Sequence, residues 1–108
     1  MPAIVKMHSE YHIAMPGNKL YTIEYLVTVV KEDIAVLPPS IKTVIKKAIE
    51  ERLTVDPISF GKPLRYSLKG HRRLRVGNYR IVYRIENTKH LVVIIAIKHR
   101  KDVYDDFE

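Results

Sequence analysis

The 108-residue chain contains no cysteine and no tryptophan. Without cysteine it has no disulfide, no zinc-thiolate site and no thiol nucleophile, which fits a reducing compartment. No apolar run approaches the length of a membrane-spanning helix, and the first twenty residues lack the apolar core of a secretory signal. We therefore expect a cytoplasmic protein with no membrane partner.

Acidic residues are scarce in the second half of the chain. Between Lys62 and Lys101 there are twelve Lys or Arg residues and one acid, Glu86, and the whole chain carries a formal net charge of +7. A basic half of this kind suits a nucleic acid or an acidic protein partner. The length indicates a single domain with a modest core.

The first 19 residues show no sustained hydrophobic period and end in a turn sequence, Met15-Pro16-Gly17-Asn18. We interpret residues 1–19 as a flexible or loosely docked extension and assign the domain to residues 20–108. Met15 is an alternative start. His8 and His12 have the spacing of a helical metal pair, but no third ligand lies nearby, so a metal site is the weaker interpretation.

Hydrophobic patterning predicts an α+β fold. Residues 21–27 have the composition of a strand, and residues 29–37 and 40–53 are two predicted helices. Residues 64–69 are predicted as a strand, and the unbroken apolar run 91–97 as a central strand. We expect an N-terminal strand and a two-helix hairpin packed on an antiparallel sheet of about four to five strands.

The second predicted helix has one apolar stripe and one polar face. The stripe consists of Ile41, Val44, Ile45, Ala48, Ile49 and Leu53, and the polar face of Lys42, Lys46, Lys47 and Glu50. Core packing is the preferred interpretation of this stripe.

A predicted hairpin places arginines directly opposite one another on two paired strands. Two alternating runs flank Gly77-Asn78, a dipeptide suited to a type II′ turn. A two-residue loop places Arg75 opposite Arg80, so one face is apolar while the other carries Arg73, Arg75 and Arg80. Because opposed like charges destabilise a ladder, the cluster favours a bound polyanion over a solvated outer face.

No metal constellation, Gly-rich phosphate loop or Ser/His/Asp triad can be assembled from the sequence, so we expect no cofactor. What remains is a basic cluster with groups able to move protons: His71, Arg73, Arg75, Arg80, His99, Arg100 and Tyr104. Such a set can cleave RNA without a metal, since RNA supplies its own 2′-hydroxyl nucleophile and guanidinium groups stabilise charge on phosphorus.

Residues 68–70 and 73–83, the apolar strand after them and residues 99–104 together resemble the RelE/ParE superfamily of toxins. The resemblance covers about residues 21–107 and implies the predicted order of strand, two helices and meander. RelE-branch toxins are small cytoplasmic proteins that cleave messenger RNA, typically in the ribosomal A site, and are neutralised by an antitoxin from the same operon. The ParE branch keeps the fold but is associated with inhibition of DNA gyrase.

The resemblance also implies roles for individual residues. Arg80 matches the arginine at the scissile phosphate, and Arg73 falls where a basic residue stabilises the transition state. Arg100 and Tyr104 resemble the C-terminal arginine and tyrosine, the latter acting as a base or as a base-stacking group. His71 replaces the lysine common at that position, so whether it binds phosphate, moves a proton or does neither stays open.

Five further residues are predicted to contact RNA: Lys69, Arg75, Arg84, His99 and Lys101. A capping or core role is an equal alternative for His99, and a solvated role for Arg84. Tyr79 and Tyr83 are expected in the core. Arg72 has the opposite parity from Arg73 and is expected to cover the sheet edge.

The sequence thus predicts a type II toxin with metal-independent endoribonuclease activity on messenger RNA at the ribosome. Its expected protein partner is a cognate antitoxin, in a hetero-oligomer. One alternative is a ParE-like toxin that blocks gyrase through protein contacts, and another is a degenerate relative that only binds its antitoxin. The clustered arginines favour the nuclease.

Overall fold

The computed structural model of the chain describes residues 4–6 and 20–102. Within them, six strands form one sheet in the order β1-β2-β6-β5-β4-β3. The strands are β1 (Ile4–Lys6), β2 (Thr22–Leu26), β3 (Lys62–Pro63), β4 (Arg72–Val76), β5 (Tyr79–Glu86) and β6 (Leu91–His99). The helices are α1 (Val29–Ile34), which has π-helical geometry, α2 (Pro39–Ala48) and α3 (Pro57–Phe60). The predicted α+β class is confirmed.

Two expectations about the N-terminal part have different outcomes. The predicted strand at 21–27 is β2, but β2 pairs in parallel with β6. The helices after β2 carry the chain to the opposite edge of the sheet, and the chain then returns strand by strand from β3 to β6. β1 lies inside the segment assigned to the extension and pairs antiparallel with β2. The domain boundary stays a prediction, and His8, His12 and Met15 lie outside the described residues. None of the described helices has the length and apolarity needed to cross a membrane.

The predicted strand at 64–69 is wrong. β3 ends at Pro63, and Tyr66–Leu68 forms a 3₁₀ turn instead. The backbone N–H of Leu68 donates to the carbonyl of Arg65, and that of Lys69 donates to the carbonyl of Tyr66. These i to i+3 bonds coil the chain tightly, so β4 begins only after the turn.

The core lies between the helices and one face of the sheet. The predicted apolar stripe of α2 largely holds, with Ile45, Ala48, Ile49 and Leu53 buried against the sheet. Val44 is 54% exposed, and Glu50, predicted on the polar face, is buried. Beyond Ala48 the helix continues in π-type turns over Ile49–Leu53, which hold more residues per turn and rotate Glu50 inward.

The arginine hairpin has the predicted register. Arg75 lies opposite Arg80, and Leu74 lies opposite Ile81. Gly77 has φ +56° at the first turn position, as a type II′ turn requires. Leu74 and Ile81 are therefore buried in the core, and the two arginines share the other face of the sheet.

α3 and the loop after it are fastened to the sheet by two side chains. The buried Tyr83 hydroxyl donates to the carbonyl of Pro57 (2.6 Å), and the Arg72 guanidinium donates to the carbonyls of Ile58 (2.7 Å) and Gly61 (2.9 Å). Burial raises the pKa of Tyr83 despite the opposing effect of Arg72, so the hydroxyl remains a donor. Both the core position of Tyr83 and the edge position of Arg72 agree with prediction.

The close approach at Gly61 gives a stability prediction. A Cβ at this position would overlap the Tyr83 hydroxyl. Gly61→Ala should therefore lower the free energy of unfolding by about 1–3 kcal/mol, as expected for overpacking. Tyr83→Phe alone should also destabilise, because it leaves the Pro57 carbonyl without its donor.

The double variant should lose less free energy of unfolding than the sum of the two single-variant losses, because removing the hydroxyl makes room for the new methyl group. Denaturant unfolding of the four proteins in this cycle measures the coupling. Strictly additive losses would show that Gly61 and Tyr83 do not compete for space.

Candidate nucleic-acid interface

A cleft of about 250 Å³ opens beside the β4–β5 turn. It is lined by Arg75, Gly77, Asn78, Tyr79, Arg80 and Arg100. Three of these described lining residues are arginines and none is acidic. The cleft is therefore a site of concentrated positive charge that suits a phosphate group.

Three segments of the chain bring the arginines together. Arg75 and Arg80 are cross-strand neighbours on β4 and β5, and Arg100 follows β6 in a 3₁₀ turn. The backbone N–H of Arg100 donates to the carbonyl of Asn78 at 2.7 Å. This bond fastens the start of the C-terminal segment to the hairpin turn and holds Arg100 at the cleft.

His99 supports the same junction. Its Nδ1 accepts a hydrogen bond from the backbone N–H of Lys101 (3.1 Å), and its ring contacts Tyr79 edge-on with centroids 5.1 Å apart. An accepting Nδ1 places the proton of a neutral imidazole on Nε2. His99 thus caps the turn that carries Arg100, while its contact with RNA stays a prediction.

Lys98, Arg80 and Arg75 form a row of three cations across the sheet. Lys98 on β6 lies opposite Arg80, which lies opposite Arg75, so three neighbouring strands each place a cation in line. The Lys98 ammonium is held by Asp33, with Nζ 2.7 Å from Oδ1. The sequence pattern does not predict Lys98 at this site, because the β5–β6 register shifts between Val82 and Tyr83.

Asp33 has a second role at the edge of β6. β2 pairs with β6 only as far as Ile94, and the carboxylate of Asp33 accepts a hydrogen bond from the N–H of Ile97 beyond that point (2.8 Å). The buried carboxylate thereby satisfies a backbone donor that lies past the paired part of the edge. It also anchors α1 beside the row of cations.

The other predicted phosphate-binding residues lie along β4, away from the turn. Arg73 is opposite Val82 and shares the face of Arg75. His71 precedes β4, bonded through its backbone to Leu64 and Leu68, and its Nδ1 is buried without a hydrogen-bond partner in the described structure. Four residues of extended chain place His71 about 13 Å from Arg75. The structure therefore separates His71 from the cleft.

The remaining candidates are more scattered. Arg84 pairs with Glu86 at 3.4 Å, and its contact with RNA stays a prediction. Lys69 and Lys101 are exposed. Tyr104 lies outside the described residues, so its role stays a prediction.

Tyr79 packs against the core, as predicted, and also lines the cleft. Within the described part of the chain, no group of three His, Asp or Glu side chains is placed to hold a metal ion.

A small α+β domain with a cluster of arginines on one sheet face has the character of a polyanion-binding protein. The family model described as the ParE toxin of type II toxin-antitoxin systems matches residues 26–104. Toxin RelG of Mycobacterium tuberculosis is 37% identical over 84 residues, which cover 78% of this chain and 95% of RelG. The chain therefore belongs to the RelE/ParE superfamily of type II toxins, as its sequence resemblance implied.

Solved structures agree with this assignment. The toxin-antitoxin complex RelBE2 of Mycobacterium tuberculosis contains a chain that is 36% identical, with a TM-score of 0.71 over 75% of this chain and 99% of that one. The isolated RelE toxin of E. coli has a TM-score of 0.61 at 20% identity, covering 73% of this chain and 83% of that one. The second likeness shows a shared fold.

Anion binding at the cleft can be tested without RNA. Inorganic pyrophosphate at constant ionic strength should raise the Tm of the protein, because a ligand that binds only the folded state stabilises it increasingly as its concentration rises above its Kd. Arg80→Ala should abolish most of this increase. Lys89→Ala removes one positive charge from an exposed turn at the far end of β5 and should keep the increase. Equal increases in all three proteins would show that no specific anion site exists at the cleft.

Proposed function

We propose that this toxin is a RelE-like endoribonuclease that cleaves messenger RNA on the ribosome without a metal ion. The observation that carries the proposal is the convergence of Arg75, Arg80 and Arg100 on one cleft with no acid among its described lining residues. A toxin that acts only through protein contacts does not require such a cluster. Cleavage of a phosphodiester does require such a cluster, because negative charge accumulates on the phosphate in the transition state.

In the proposed reaction the 2′-oxygen of one nucleotide attacks the adjacent phosphorus and the bond to the 5′-oxygen breaks. The products are a 2′,3′-cyclic phosphate and a 5′-hydroxyl. Guanidinium groups suit the phosphoryl oxygens because they are permanently charged and present paired N–H donors. Arg80 is half-buried on a central strand, so it is positioned before substrate arrives.

The other residues take supporting roles in this scheme. Arg100 contacts the same phosphate, and Arg75 adds positive charge to the cleft. Arg73 on β4 and His71 just before this strand contact neighbouring phosphates. We propose that Tyr104, four residues after Arg100, is the residue that transfers the proton. His71 lies too far from the cleft to act at the same phosphate.

A cognate antitoxin is the proposed protein partner. The RelBE2 neighbour is a toxin-antitoxin complex. With a net charge of +7, this chain should bind an antitoxin segment of acidic or mixed composition over its basic face. Co-purification with the product of the adjacent gene tests this partner, and failure to recover any complex would count against it.

Gyrase inhibition is the second candidate, because the matching family model carries the ParE description. It predicts gyrase-dependent DNA breaks with intact messenger. A degenerate relative that only binds its antitoxin predicts neither effect.

Arg80→Ala provides the decisive variant. Messenger cleavage on translating ribosomes should fall about a hundredfold or more, which corresponds to roughly 3 kcal/mol of lost transition-state stabilisation. The Tm should change little, because Arg80 lies on the face away from the core. Lys89→Ala is the control and should keep its activity. Arg72→Ala is unsuitable as a control because its guanidinium holds the loop after α3.

Growth inhibition should fall in parallel with cleavage. The nuclease assignment fails if Arg80→Ala is folded and fully toxic. It also fails if the wild type leaves messenger intact while gyrase-dependent DNA breaks accumulate, and the ParE-like function then takes its place.

A further inference from the structure

Tyr66 combines a left-handed backbone conformation with an exposed side chain. It lies in the turn between β3 and β4 with φ +56°, and 73% of the residue is exposed. Left-handed backbone is costly for a residue with a Cβ, and glycine would adopt it freely. The other described non-glycine residue with positive φ, His90, stacks on Tyr21 with ring centroids 3.7 Å apart. Among the described residues, no ring stacks on Tyr66 to offset this cost.

Tyr66 lies in a stretch of the chain that contains basic but no acidic residues. Between Asp56 and Glu86 the chain has no acidic residue. Arg65 and Lys69 flank Tyr66 in the same turn and are both exposed. An exposed aromatic ring between cations is the arrangement with which proteins bind single-stranded nucleic acid, since the ring stacks on a base while the cations neutralise phosphates.

β4 connects this turn to the arginine cleft. Arg73 and Arg75 lie on the same face of β4, and His71 continues the series toward the turn. Side chains on one face of a strand repeat about every 6.6 Å, which is of the same order as the phosphate spacing of an extended single strand. Arg73 and Arg75 therefore place two cations on one face of β4, the strand that joins the cleft to the turn carrying Tyr66.

We propose that Tyr66 forms a stacking subsite for one base of an RNA strand that runs along β4. The strand enters the cleft with its scissile phosphate at Arg80, and the stacked base belongs to a nucleotide a few positions away. Arg65 and Lys69 contact the phosphates beside that base. This inference rests on the proposed nuclease function and extends its substrate site beyond the cleft.

A binding measurement with uncleavable RNA tests the subsite. The probe is a short, labelled, single-stranded oligoribonucleotide whose 2′-hydroxyls are methylated, so that it lacks the nucleophile. Its affinity is measured by fluorescence anisotropy at fixed ionic strength. Tyr66→Gly should weaken binding roughly tenfold, as expected for the loss of one stacked base. Tyr66→Phe should bind like the wild type, and Tyr66→Leu, which keeps apolar area without a flat ring, should resemble Tyr66→Gly.

Thermal unfolding separates this loss of affinity from a folding defect. Glycine relieves the left-handed strain at position 66, so the Tm of Tyr66→Gly should equal or exceed that of the wild type. A variant that is at least as stable yet binds RNA more weakly has lost a binding contact.

The possible failures are distinguishable. If the wild type does not bind the oligoribonucleotide, the subsite fails, whereas the nuclease function fails only if messenger on translating ribosomes also stays intact. If RNA binds and all Tyr66 variants bind it equally, the stacking subsite is overturned while the nuclease function stands. If Tyr66→Gly binds RNA normally but loses its antitoxin, the turn is a protein-docking surface and the proposal is wrong.

Discussion

The register of the β4–β5 hairpin is the constraint on which the proposed site depends. Leu74 and Ile81 must both face the core, and with a two-residue turn this requirement forces Arg75 to lie opposite Arg80. Burial of one such apolar side chain contributes about 1.5–3 kcal/mol, whereas opposed like charges cost at most about 1 kcal/mol. A slip of one residue would exchange the two faces, so the core enforces the crowding of cations on the outer face.

The rest of the structure builds on this pair. The bulge between Val82 and Tyr83 sets where β6 lies against β5, and with it the position of Lys98 opposite Arg80. Asp33 holds Lys98 toward α1. The hydrogen bond between Arg100 and Asn78 then places the third arginine at the cleft. The site thus depends on one short hairpin, whose register is set by the burial of its apolar side chains.

The sequence predicted those features that follow from local pattern. Alternation around Gly77-Asn78 gave the hairpin register, and helical spacing gave most of the buried residues of α2. The parallel pairing of β2 with β6 was missed because pairing between distant segments leaves no local signature. Glu50 was misplaced because the change to π-type turns was not visible in the hydrophobic period. The turn at Tyr66 was predicted as a strand because Leu64 and Tyr66 follow an alternating pattern that the backbone does not adopt.

The chemistry of the cleaved ends tests the central claim most directly. Messenger fragments recovered from translating ribosomes after brief exposure to the wild-type toxin can be analysed for their terminal groups. Attack by the 2′-hydroxyl at a phosphate held by arginines predicts 2′,3′-cyclic phosphate and 5′-hydroxyl ends. Fragments with 3′-hydroxyl and 5′-phosphate ends would contradict that mechanism, and intact messenger in cells whose growth is arrested would contradict the nuclease function itself.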